Sequence, residues 1–180
     1  MFSKLTILAL PALAAAASCP APPSPPSNPS CGSTHPKWTL DPINLSSYYT
    51  YTSPSASGPK LGSFSFTFAT DQVDYEAQCS GSSVNPQGIF YGSQVFECVT
   101  PGGSGSKTTS FSFDSASSVV SVNTTFTCCD VCDVVYTTIG SVKIDLECET
   151  STWRNPDWVA GELYSNTTTV CEPGAATVQL

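Results

Sequence analysis

The sequence predicts an all-β protein: a single antiparallel β-barrel or sandwich, stabilised by disulfides and preceded by a proline-rich arm. Three observations carry that expectation. Segments of the chain alternate apolar and polar residues with the period of two that a half-buried strand requires. Clusters of Pro and Gly separate these segments. Nine cysteines are distributed through 180 residues. No window sustains a helical period.

The chain opens MFSKLTILALPALAAAAS, with Lys4 ahead of an apolar run from Leu5 to Ala17 that closes in small residues. This is the layout of a secretory leader, residues 1–17, with cleavage expected after Ala17. The run is too short to span a bilayer. The end, CEPGAATVQL, lacks the apolar tail of a lipid-anchor signal. A secreted, extracellular protein without a membrane partner is expected.

Residues 18–36 form the arm. From Cys19 to Pro36 the chain holds seven prolines and two cysteines, a composition that favours an extended polyproline II spacer over a packed core. Residues 37–180 then form the all-β domain. In LGSFSFTFA, Phe64, Phe66 and Phe68 share one face, and Ser63, Ser65 and Thr67 the other. VDYEAQC turns Val73, Tyr75, Ala77 and Cys79 inward, opposite Asp74 and Glu76. SVVSVNTTFTC sends Val120, Val122, Thr124, Phe126 and Cys128 inward and Asn123 outward. SVKIDLEC does the same with Val142, Ile144, Leu146 and Cys148, leaving Asp145 and Glu147 outside. The block from Ser63 to Cys79 resembles that from Ser110 to Cys128: each begins Ser-Phe-Ser-Phe and returns on a strand ending in Cys.

In an oxidising compartment the cysteines read first as disulfides. Cys79 and Cys98 close neighbouring strands and are expected to pair, worth about 3 kcal/mol in the chain-entropy model. Cys128 and Cys148 both finish inward-facing strands and are expected to meet across the intervening hairpin. Partners for Cys129, Cys132, Cys171, Cys19 and Cys31 stay open. The count of nine is odd, which leaves a cysteine for a disulfide-linked homodimer through Cys31 or Cys19. Sequons stand at Asn44, Asn123 and Asn166 as candidate glycosylation sites.

No catalytic, cofactor-binding or metal-binding residue is expected. Cys129-x-x-Cys132 supplies one pair of zinc ligands, but no second such pair exists and the single histidine, His35, sits in the arm. The strand-like flanks do not suit a thioredoxin-type redox motif. With His35 alone, a nucleophile–histidine arrangement would have to recruit the arm. Cleavage before Ser18 excludes copper oxygenases that use an N-terminal histidine. TFTCCDVC resembles the Cys-Cys cluster of small secreted endoglucanases, but the Trp-Asp that should precede the cysteines is missing. Six basic residues against fourteen acidic ones give a net charge of −8, and −9 without Lys4. That excludes nucleic acid and anionic membranes as partners.

WTL (Trp38 to Leu40), LGSFSFTFAT (Leu61 to Thr70), VDYEAQCSGSS (Val73 to Ser83), FYGSQVFECVTP (Phe90 to Pro101) and SFSFDSASSVVSV (Ser110 to Val122) follow one another here. In that order they resemble the Alternaria major-allergen-like family of fungal secreted β-barrel proteins, over roughly Trp38 to Cys128. The resemblance implies a barrel without a catalytic centre, and an allergen, elicitor or effector role. It further implies binding to a host defence protein or a small apolar ligand. By the same resemblance Cys79–Cys98 matches the family's first intradomain bridge, and Cys31 its N-terminal cysteine, which links two chains. The function expected is therefore non-enzymatic binding at a host or cell-wall surface, the partner being a protein, a glycan or a small apolar ligand. Exposed aromatics such as Trp153 and Trp158 would contribute to such a surface, although core packing is the role favoured for them. Two alternatives stand beside it. One is a small polysaccharide hydrolase using a carboxylate pair, Asp74/Glu76 or Asp145/Glu147; the other is a structural wall protein.

Overall fold

In the computed structural model, which describes residues 30–84, 89–101, 107–127 and 134–180, the alternating segments become ten β-strands, with no helix among the described residues. They are β1 (Lys37–Ser53), β2 (Ala56–Thr70), β3 (Ala77–Ser83), β4 (Tyr91–Glu97), β5 (Thr108–Asp114), β6 (Val119–Thr127), β7 (Val135–Lys143), β8 (Cys148–Arg154), β9 (Ser165–Cys171) and β10 (Gly174–Gln179). Two antiparallel sheets result. The first runs β3-β2-β1-β9-β8, with β10 also pairing with β1; the second runs β4-β5-β6-β7. The sheets stack as a sandwich and do not close into a barrel.

The core follows from the alternation. Phe64, Phe66 and Phe68 of β2 face Phe111 and Phe113 of β5, all nearly inaccessible to solvent. Phe64 stacks on Phe113 with centroids 4.2 Å apart, and Phe66 meets Phe111 edge-on at 5.0 Å. The two Ser-Phe-Ser-Phe blocks therefore pack on each other, one from each sheet. Their serines stay on the outer faces, where hydroxyls remain hydrated. Trp38, Leu40 and Ile43 of β1 and Val120, Val122 and Val142 complete the core.

Strand β1 is long enough to serve two neighbours on one side. Its first part pairs with β10 (Leu40 opposite Ala176) and its later part with β9 (Tyr48 opposite Thr168). The register shifts between Leu40 and Ile43, where Pro42 follows a cis peptide bond; a residue without an N–H is tolerated at such an irregularity. The end of the proline-rich segment is docked on the domain. Pro36 is buried and its carbonyl accepts from Leu180 N at 3.0 Å. The buried Gln72 donates from Nε2 to Ser33 O at 3.0 Å.

Two strands differ from the sequence expectation. VDYEAQC becomes a strand only from Ala77; Val73 and Tyr75 lie half-buried in the preceding turn. SVKIDLEC is not one strand. β7 ends at Lys143 and β8 begins at Cys148, because residues 144–147 carry the chain from the second sheet to the first. Ile144 stays in the core and Leu146 is half-buried, whereas Cys148 is exposed. The expected Cys128–Cys148 bridge is corrected accordingly: the crossing carries Cys148 onto β9, where it is bonded to Cys171. Cys128 lies outside the described residues.

Candidate functional site

The sandwich is uneven, and its unevenness makes the site. On the first sheet the inner face runs from Leu45 and Phe64 to Ser47 and Gly62, then to Tyr49 and Lys60, following the register of β1 with β2. Ile89, partly buried against the core, closes the sandwich at Gly62. A Cβ on that glycine would stand 1.7 Å from Ile89 Cγ2. Beyond this point β1, β2, β8 and β9 carry no buried residue until Ser165 and Cys171, at the two ends of β9. Among the described residues, the strands of the second sheet do not extend over this part of the inner face.

Three rows cross that face. Ser47 lies opposite Thr169, and Thr169 opposite Thr150; Tyr49 lies opposite Thr167, and Thr167 opposite Thr152; Tyr51 lies opposite Ser165, and Ser165 opposite Arg154. Since directly opposed residues point the same way, all nine stand on one surface. Thr150 and Thr169 share a hydrogen bond of 2.9 Å, and Thr152 and Thr167 one of 3.0 Å. Lys60 Nζ rests 4.7 Å from the centre of the Tyr49 ring. The Arg154 guanidinium lies 5.6 Å from the Tyr164 ring, which also meets Trp158 edge-on. Tyr49, Tyr51, Lys60, Ser57, Pro59 and Val84 line a concavity of about 360 Å³.

A larger and more open hollow, about 480 Å³, surrounds the Cys148–Cys171 bridge with Glu147, Glu149 and Glu172. Among the described residues no group of three or more His, Cys, Asp or Glu is placed to hold a metal ion. The first hollow is the better site, because it joins aromatic rings to hydroxyls and a cation.

The residues expected from the sequence fall elsewhere. Cys79 and Cys98 are joined, with Cα atoms 4.2 Å apart, and beside them Gln78 and Val99 exchange two backbone hydrogen bonds of 2.8 Å that tie β3 to the other sheet. Cys31 is disulfide-bonded, not a free thiol; Cys19, Cys129 and Cys132 lie outside the described residues. Asp74 and Glu76 are exposed in the turn before β3, and Asp145 and Glu147 in the crossing before β8, so neither pair sits on a strand. Trp153 is exposed at 53 %, which corrects its expected core role. Trp158 is half-buried and donates from Nε1 to Glu162 O at 3.0 Å. Asn44 and Asn123 are exposed. Asn166 is half-buried, donating from Nδ2 to Thr168 Oγ1 at 3.3 Å. By register all three asparagines lie on outer faces, opposite Ser65, Ser110 and Trp153 respectively.

The family model described as Alternaria alternata allergen 1 matches residues 45–171, well over half of the chain. The chain belongs to that family. Every residue of the uncovered face lies inside the span that matches the Alternaria allergen family, while β10 and the first core residues of β1, Trp38 to Ile43, lie outside it. The match also takes in β7, β8 and β9, beyond the stretch over which the sequence resemblance was legible. No curated protein and no solved structure matches the chain at a significant level.

Sequence reasoning passed over Tyr49, Tyr51, Lys60 and Arg154. A signal was present: Tyr49-x-Tyr51, Thr150-x-Thr152 and Thr167-x-Thr169 all repeat at strand spacing. Each put large or hydroxyl-bearing residues on one face, with no apolar stripe to mark that face as core.

Proposed function

We propose that this member of the Alternaria allergen family is a secreted, non-catalytic binding protein, and that its ligand is a cell-wall polysaccharide. The observation that carries the reading is the inner face of the first sheet continuing past the second, with Tyr49 and Tyr51 beside ordered threonine hydroxyls. Tyrosine offers an apolar ring face and a polar tip, which suits a sugar ring with its C–H faces and rim of hydroxyls. The Thr150, Thr152, Thr167 and Thr169 hydroxyls donate and accept alike. A small apolar ligand would call for an enclosed, mostly apolar cavity; this hollow is open and includes Lys60 and Ser57. Secretion belongs to the same reading and is supported by the disulfides, with residues 1–17 as leader. The sequons on outer faces would keep attached sugars clear of the binding face.

The test is depletion of the purified secreted protein by insoluble cell-wall polysaccharides, followed by calorimetry with the soluble form. Wild-type protein should be retained, and a Tyr49→Ala/Tyr51→Ala variant with an unchanged circular dichroism spectrum should not. Wild-type protein left wholly in the supernatant by every wall polysaccharide would sink the reading.

A further inference from the structure

Fourteen acidic residues and a net charge of −8 make a run of strand rows without a carboxylate unusual on this protein, yet the uncovered inner face holds one. At its Arg154 end the Glu162 carboxylate is engaged by Asn155 Nδ2 at 3.2 Å and Val159 N at 3.5 Å. The rows of the face read Ser47-Thr169-Thr150, Lys60-Tyr49-Thr167-Thr152 and Tyr51-Ser165-Arg154. They hold two of the six basic residues in the chain and no Asp or Glu. Lys60 and Arg154 each rest on an aromatic ring, Tyr49 and Tyr164 respectively. The acidic hollow around Cys148–Cys171, with Glu147, Glu149 and Glu172, lies at the opposite end of β8.

We infer that the polysaccharide bound here is anionic, a uronate-bearing chain whose carboxylates meet Lys60 and Arg154 while its rings cross the Tyr49–Tyr51 platform. This rests on the glycan-binding reading above and adds the charge of the ligand. Lys60 and Arg154 stand three strands and one row apart, about 16 Å at ordinary strand spacing. That is the reach of an oligosaccharide segment, not of a single sugar. A uronate chain carries no more than one carboxylate per sugar, a lower density than a duplex with a charge about every 1.7 Å, so each of two separated cations can meet a carboxylate of its own.

The experiment compares polygalacturonate with its fully methyl-esterified form, which keeps the backbone and removes the charge. Binding should be tighter to the free acid and weaken with added salt, which screens exposed charge pairs. Lys60→Gln and Arg154→Gln should each weaken binding to the free acid by about two- to five-fold and weaken binding to the ester less, so that the preference for the free acid falls. Equal binding to both forms, or equally tight binding to single-stranded DNA, overturns the inference while the glycan reading stands. Binding to neither form of this backbone also overturns the inference, and retention on a neutral wall glycan then shows that the broader reading survives. Circular dichroism on each variant separates lost charge from lost fold.

Discussion

Cys148 lies directly opposite Cys171 across the β8–β9 pair, with their Cα atoms 3.8 Å apart and their sulfurs bonded. The bond closes a loop with a sequence separation of 23 and holds an edge strand whose residues are all exposed. Little apolar burial anchors β8, so the cross-link matters more than the surroundings suggest. A Cys148→Ser/Cys171→Ser variant should lose about 3 kcal/mol, read as a lower denaturant midpoint. Hydrogen exchange should quicken in β8 before it quickens in β5 and β6.

Thr109 and Thr124 are almost fully buried, and their hydroxyls share a hydrogen bond of 3.0 Å inside the sandwich. Thr109→Val alone leaves the Thr124 hydroxyl without its partner and should cost about 1–3 kcal/mol. The double Thr109→Val/Thr124→Val variant should cost less than the sum of the singles, because no polar group is stranded. Urea denaturation of the four proteins in the cycle decides this. Strict additivity would mean the hydroxyls are not coupled.

Gly62 lies where the covered part of the inner face gives way to the open part. Its missing Cβ makes room for Ile89, and the Phe90 ring edge is only 3.0 Å from where that atom would stand. Gly62→Ala must displace a β-branched side chain that has few rotamers to escape into. A loss of about 1–3 kcal/mol is expected, measured by thermal unfolding.

Tyr75 carries a buried hydroxyl with no hydrogen-bond partner. Burial, and then the neighbouring Asp74 carboxylate, hold its pKa above the ordinary tyrosine value. The folded state thus binds the phenolic proton more tightly than the unfolded chain does. Its contribution to stability is complete below the unfolded value of about 10 and is lost as pH rises through the folded-state value. Phenolate absorbance should show one tyrosine ionising above the ordinary range, and Tyr75→Phe should abolish that phase. Near neutrality the same substitution should be neutral or slightly stabilising, since it removes an unpaired buried polar atom.

The inward stripes of β2 and β6 were legible from the sequence, because alternation is a two-residue property imposed by the pleat. Phe64, Phe66, Phe68, Val120, Val122 and Phe126 could therefore be assigned to the core residue by residue. Cys79 and Cys98 were legible as neighbours for the same local reason. The turn before β3 was less so: Val73 and Tyr75 keep the strand period, yet they lie in a turn that also places Gln72 beneath Ser33. The absence of any longer period predicted no helix, and the described residues contain none.

What the sequence by itself determined is an all-β chain with named inward faces, and two Ser-Phe-Ser-Phe blocks able to pack. Tertiary structure alone decided that β1 would take β10 and β9 along one side, joining strands from the two ends of the domain. That choice depends on which distant strands fit together, and no local periodicity records it. It moved Cys148 from β6 to β9 and exposed Trp153. It also carried Tyr49, Tyr51, Lys60 and Arg154 past the edge of the second sheet, where side chains on a core-side face meet water.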